Sequence, residues 1–185
     1  MKRLSKLALD DGASEIAEFA VVVPLLMTLI FGIYSFGRAY NIYSTVTRAA
    51  QDGARVAVTP TCSYCTTYTC GAGTSQFPCD ANVVDAVSGA LAASHLDPNR
   101  TSQLVPTTSA LACPPPAPVK TCGQASGANG TTIYICRNVL INPNTSPQSC
   151  GTIVSFQYSY QFLPILFAPG ISINIPAQAQ MRMEY

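Results

Sequence analysis

The chain has no tryptophan and one histidine, and charged residues make up only 10% of it. With a formal net charge of +1 there is no basic stripe, which excludes a nucleic-acid footprint. A lone histidine, His95, leaves no material for a histidine-based metal centre or a catalytic triad. The strings G-x-S-x-G and H-E-x-x-H and the P-loop are all absent, and Asp80, Asp85 and Asp97 are scattered, so no enzyme activity is expected. No cofactor is expected either. Cysteine is missing from the first sixty residues, and only one long apolar run is found.

That run is Phe19 to Phe36, FAVVVPLLMTLIFGIYSF, without a charge. At about 1.5 Å per residue it reaches roughly 27 Å as a helix, close to the hydrocarbon thickness of a bilayer. Lys2, Arg3 and Lys6 precede it, and the positive-inside rule then places the N-terminus in the cytoplasm and the remainder outside. A cleaved secretory signal has a shorter apolar core and a small-residue cleavage site at its end; here Gly37–Arg38–Ala39–Tyr40 follows and the helical pattern continues. The expected division is a cytoplasmic tail or leader over 1–18, a transmembrane helix over 19–37, and an exported domain over 38–185 with Cys-rich insertions at 60–80 and 110–150.

All eight cysteines lie beyond the anchor: Cys62, Cys65, Cys70, Cys79, Cys113, Cys122, Cys136 and Cys150. An even set on the exported side is expected to form disulfides, because the periplasm and the cell surface keep thiols oxidised. The spacing does not choose among the 105 pairings. The alternative is a structural zinc site of Cys62, Cys65 and Cys70 with Cys79 as fourth ligand.

Residues 38–58 contain no proline and place Ile42, Val46, Ala49, Ala50, Gly53 and Ala57 on one helical stripe. Thr59–Pro60 ends the helix. A second helix is expected over 81–96, capped by Asp80, with Val84, Val87, Leu91 and Ser94 or His95 on one face. Residues 99–131 are rich in Pro, Gly, Ser and Thr and are expected to depend on disulfides, with a weak strand near Ser102–Pro106. Strands follow at Thr132–Ile141 and Thr152–Phe162, both rich in β-branched and aromatic residues, and from Ile171 onward; the last two alternate in polarity. The sum is an α+β fold: a long N-terminal helix whose continuation packs on a C-terminal antiparallel sheet.

One further feature is a carboxylate at the edge of the span. Glu18 precedes Phe19, and a charge there needs either a partner or a place in the headgroup layer, where the helix dipole favours an acid. The string around it carries a resemblance. Glu18–Phe19, Pro24–Leu25–Leu26, Phe31–Gly32, Phe36–Gly37–Arg38–Ala39, Ala49–Ala50 and Gly53–Ala54–Arg55, in this order, resemble the N-terminal region of TadE-like proteins, pseudopilins of tight-adherence (Flp-type) pilus systems. The resemblance covers residues 12–58, with a weaker likeness in the closing strands, and the cysteine-rich middle is unmatched.

It implies a pilin-like, disulfide-stapled structural subunit of the bacterial inner membrane that assembles with other pilin subunits and the pilus machinery. It also implies a prepilin peptidase that cuts after a small residue and leaves the glutamate fifth in the mature chain. Cleavage after Gly12 makes Glu18 sixth; cleavage after Ala13 makes it fifth. The alternative is an unprocessed, membrane-anchored binding or adhesive protein of the periplasm or cell surface. Small residues at Gly32, Gly37, Ala49, Gly53 and Ala57 fit close helix approach, and equally the ordinary composition of membrane helices.

Overall fold

A computed structural model describes residues 11–60, 68–70, 73–75, 77–106, 111–114, 119–144, 146–161 and 172–183. Helix α1 runs from Asp11 to Val58, and contacts divide the chain into two units within it, Met1–Tyr40 and Asn41–Tyr185.

The second unit is a helix pair on an antiparallel sheet. After α1 come a short hairpin, β1 (Tyr68–Cys70) and β2 (Gly73–Ser75), helix α2 (Asp80–Ala93), and a single 3-10 turn at Pro98–Arg100. The main sheet contains β3 (Thr101–Gln103), β4 (Thr121–Ser126), β5 (Thr132–Leu140), β6 (Cys150–Gln161) and β7 (Ser172–Arg182). Strand β6 is the centre: β5 and β3 share one of its sides, β7 follows the whole of the other, and β4 pairs with β5.

Periodicity explains the core. On β6, Val154, Phe156, Tyr158 and Tyr160 point to one face, and their partners Ala179, Ala177, Ile175 and Ile173 on β7 share it. All but Ile173 are buried. The same face receives Ile133 and Ile135 from β5, Val83, Val84, Val87 and Leu91 from α2, and Val46, Ala49, Ala50, Ala54 and Ala57 from α1. The small-residue stripe of α1 lets the helices approach closely. At Gly53 an added Cβ would lie 2.5 Å from Val87 Cγ2 and 3.6 Å from Val154 Cγ1. On the opposite face Cys136, Val139 and Ile153 form a smaller cluster, and the Ser155 hydroxyl donates to the Leu104 carbonyl at 2.6 Å.

Several expectations are corrected. Asp80 does not cap α2: the N-cap is Cys79, without a side-chain cap bond, and the Asp80 carboxylate pairs with Arg137 instead. Ser94 and His95 are exposed, and the buried face of α2 is Val83, Val84, Val87, Ser88 and Leu91. Helix α2 stops at Ala93, before Asp97–Pro98, because His95 turns to φ 58. Its amide donates to Ala92, and that of Leu96 to Leu91, which closes a Schellman motif. The segment 99–131, expected to depend on its disulfides, contains β3 close to the expected weak strand. It also contains β4, which lies outside that expectation and is joined to β5 along its length and by Cys122–Cys136.

Candidate assembly surface

In the N-terminal unit, Gly12 and Ala13 lie in the first turn of α1. Glu18 and Phe19 are exposed, and among the described residues no ion pair reaches Glu18. From Ile16 onward the large apolar side chains are exposed on every side of the helix, including Phe19, Leu25, Ile30, Ile33 and Phe36. A helix that is apolar all round belongs in lipid or among other apolar helices rather than in water. By length and composition α1 is sufficient to cross a membrane.

Backbone chemistry within this stretch is suited to an apolar medium. Pro24 removes one amide donor from the helix interior. Beyond it the Thr28 hydroxyl donates to the Leu25 carbonyl at 2.8 Å, so its polar hydrogen is met within the helix. Gly32 and Gly37 present open surface: a Cβ added at either finds no atom within 4 Å.

The second unit holds the C-terminal end of α1 through Arg137, a residue that the sequence analysis did not single out. Between Cys136 and Val139 the pairing of β5 with β6 shifts register, and Asn138 takes φ 56. This bulge brings Val139 to the face of Cys136 and Ile153 and leaves Arg137 on the helix face. There Arg137 Nη1 donates to the Ala57 carbonyl at 3.0 Å, Nη2 to the Pro78 carbonyl at 2.8 Å, and Nε to Asp80 Oδ1 at 2.9 Å. Ala57 and Pro78 contribute carbonyls left over at a helix end and in a loop, which a guanidinium fork meets with fixed geometry. A cavity of about 210 Å³ beside it is lined by Cys70, Pro78, Cys79, Asp80 and Arg137.

Among the described residues three pairs of cysteines are bonded: Cys70–Cys79, Cys113–Cys150 and Cys122–Cys136. Cys62 and Cys65 lie outside the described residues. The first bond fastens the β1–β2 hairpin to the start of α2 and takes Cys70 and Cys79 out of the alternative zinc set. The second ties the segment alongside β5 to the first residue of β6. The third crosses between facing positions of β4 and β5.

No curated protein and no solved structure matches the chain. One family model does match, over residues 12–55, and its description is TadE-like protein. The stretch covers the uniformly apolar part of α1, Glu18 and the stripe down to Arg55, and leaves the sheet outside. Over this helix, about a quarter of its length, the chain is similar to TadE-like proteins.

Proposed function

We propose that this protein is a structural subunit, of minor-pilin or pseudopilin type, in the assembly or anchoring of a tight-adherence pilus. The observation that carries the reading is the coincidence of the TadE-like match with a helix whose apolar side chains are exposed all round. In this reading residues 19–37 cross the inner membrane, the N-terminus is cytoplasmic, and residues 38–185 form the exported domain. The three disulfides support an oxidising location for that domain. Inner-membrane assembly proteins and neighbouring pilin-like subunits are its partners.

Gly12, Ala13, Glu18 and Phe19 form the processing and assembly region. If a prepilin peptidase cuts after Ala13, the new amino group lies about one helical turn from Glu18. A neighbour's amine then offsets the cost of placing that carboxylate in hydrocarbon. A second reading keeps the tail and makes the chain a permanently anchored binding protein. The observation in its favour is that α1 already includes Gly12 and Ala13, so their peptide bond must unwind before a peptidase can cut it.

Intact-mass analysis and N-terminal sequencing of membrane-extracted and sheared surface fractions test both. A mature chain beginning at Ala13 or Ser14 establishes processing. Met1 as the first residue in every fraction removes the processed reading and leaves the anchored one. Recovery of the chain in the soluble cytoplasmic fraction with free thiols would sink both.

A further inference from the structure

Among the described residues the outer edge of β7 is a long open strand edge, and its chemistry suits a second copy of the same chain. The register of β6 with β7 and the bond from the Met183 amide to the Cys150 carbonyl fix which amides face inward. Odd-numbered residues of β7 address β6. Even-numbered ones, Ser172, Asn174, Pro176, Gln178, Gln180 and Arg182, turn their backbone groups outward, and their side chains are exposed. Among the described residues no strand pairs with that edge.

Edge strands in soluble domains are commonly blunted by lysines, inward charges, bulges or shortness. Strand β7 has eleven residues in unbroken register with β6, and no charge before Arg182. Its one blunting device is Pro176, whose missing donor lies on the outward side. The stretch after it, Ala177–Arg182, keeps every outward donor and acceptor.

We infer that two copies of this chain pair antiparallel through β7, with Gln178 of one facing Gln180 of the other. In this register the two glutamine positions form two reciprocal pairs of backbone hydrogen bonds. At each end of the seam the Arg182 amide meets the Pro176 carbonyl, the one group that proline can still offer. Arg182 therefore does not face its own copy, and the seam holds no like-charge contact. The side chains at its centre are primary amides, which are donors and acceptors at once and so complement themselves. An uncharged, self-complementary edge selects a copy of itself over a partner of opposite charge, and a twofold axis closes the contact after one pairing.

The test uses the full-length chain in lipid nanodiscs, with particle mass and amide exchange as readouts. Wild type is expected to contain two chains, with the Gln178, Gln180 and Arg182 amides exchanging about tenfold or more slowly than in a monomer. Lysine at both Gln178 and Gln180 sets like charges opposite each other and halves the mass, while the amides of β6 that face β5 stay protected as in the folded wild type. The Gln178→Lys, Gln180→Glu variant places opposite charges across the seam and restores the pair. Gln180→Pro removes only an outward donor and gives single chains. A wild type of one chain per particle at micromolar concentration overturns the inference. So does a double-lysine variant that remains paired, since association then runs through another surface. Protection of these amides only when a different subunit is added also overturns it.

Discussion

Arg137 Nη1 meets the Ala57 carbonyl at 3.0 Å, so a side chain from β5 closes the C-terminal end of α1. The same guanidinium holds Pro78 and Asp80 at the entry to α2, and its side chain is only 16% exposed. Removing it leaves two carbonyls short of a donor. Arg137→Ala is expected to cost about 2–3 kcal/mol, in the range for charged hydrogen bonds. Arg137→Lys recovers less than half of this, because an ammonium cannot reach all three acceptors in one plane. Asp80 is 54% exposed, so water screens its share; Asp80→Asn is expected to cost under about 1 kcal/mol. Denaturant unfolding of the three variants checks the order.

Gly53 and Gly32 separate packing from assembly on one helix. Gly53→Ala gains about 1 kcal/mol of helix propensity but drives its Cβ to within 2.5 Å of Val87 Cγ2. Valine is stiff at χ1, so overpacking of about 1–3 kcal/mol outweighs the gain and the domain melts earlier. Val87→Ala in the same chain should return part of the loss, a positive coupling that a double-mutant cycle measures. Gly32→Ala meets nothing and leaves stability unchanged or slightly raised. A loss of filament or complex assembly in that variant, with stability kept, assigns Gly32 to helix packing in lipid.

Much of the fold follows from local pattern. The end of α1 at Val58 agrees with the Thr59–Pro60 stop, and the alternation of β6 and β7 places their buried faces correctly. What sequence could not show depends on tertiary pairing. Strand β4, TCGQAS, has little strand preference of its own and exists because β5 pairs with it and Cys122 bonds Cys136. The two-residue bulge at Arg137–Asn138 reverses the faces of β5 midway, and no period-two reading anticipates that. The signal available in advance was an arginine inside a strand otherwise rich in β-branched and aromatic residues, Thr132–Leu140, which asks for a partner on the buried side.

His95 closes the Schellman motif of α2 with a left-handed backbone, φ 58, that costs a residue with a Cβ about 1 kcal/mol or more. His95→Gly removes this strain, and a rise in stability of about 0.5–1 kcal/mol is expected. His95→Val adds branching at the same position and lowers stability. If both variants melt with wild type, the turn is not held in this form in solution.

The disulfides should differ in weight according to the chain they close. Cys113–Cys150 spans 37 residues and Cys70–Cys79 spans 9. Loop-closure entropy makes the longer bridge worth about 1 kcal/mol more. Replacing each pair by alanines and comparing unfolding free energies tests the order. Equal losses would show that local packing, rather than restriction of the unfolded chain, sets their contribution.

Tyr158 gives the domain an alkaline limit. Burial raises its phenol above the ordinary tyrosine value of 10.0, and a backbone hydrogen bond at Asp97 and the Arg100 charge pull it down by less. A raised folded pKa means that the unfolded chain releases this proton first. The stabilisation is therefore complete below the unfolded value of about 10 and declines as pH climbs from there through the folded one. Tyr158→Phe removes the group from the linkage while keeping the ring in the core. Its melting temperature should fall less steeply than that of wild type between about pH 9 and 11, and the two curves should run parallel at neutral pH. Parallel curves over the alkaline range as well would mean that the phenol reaches water in the folded protein.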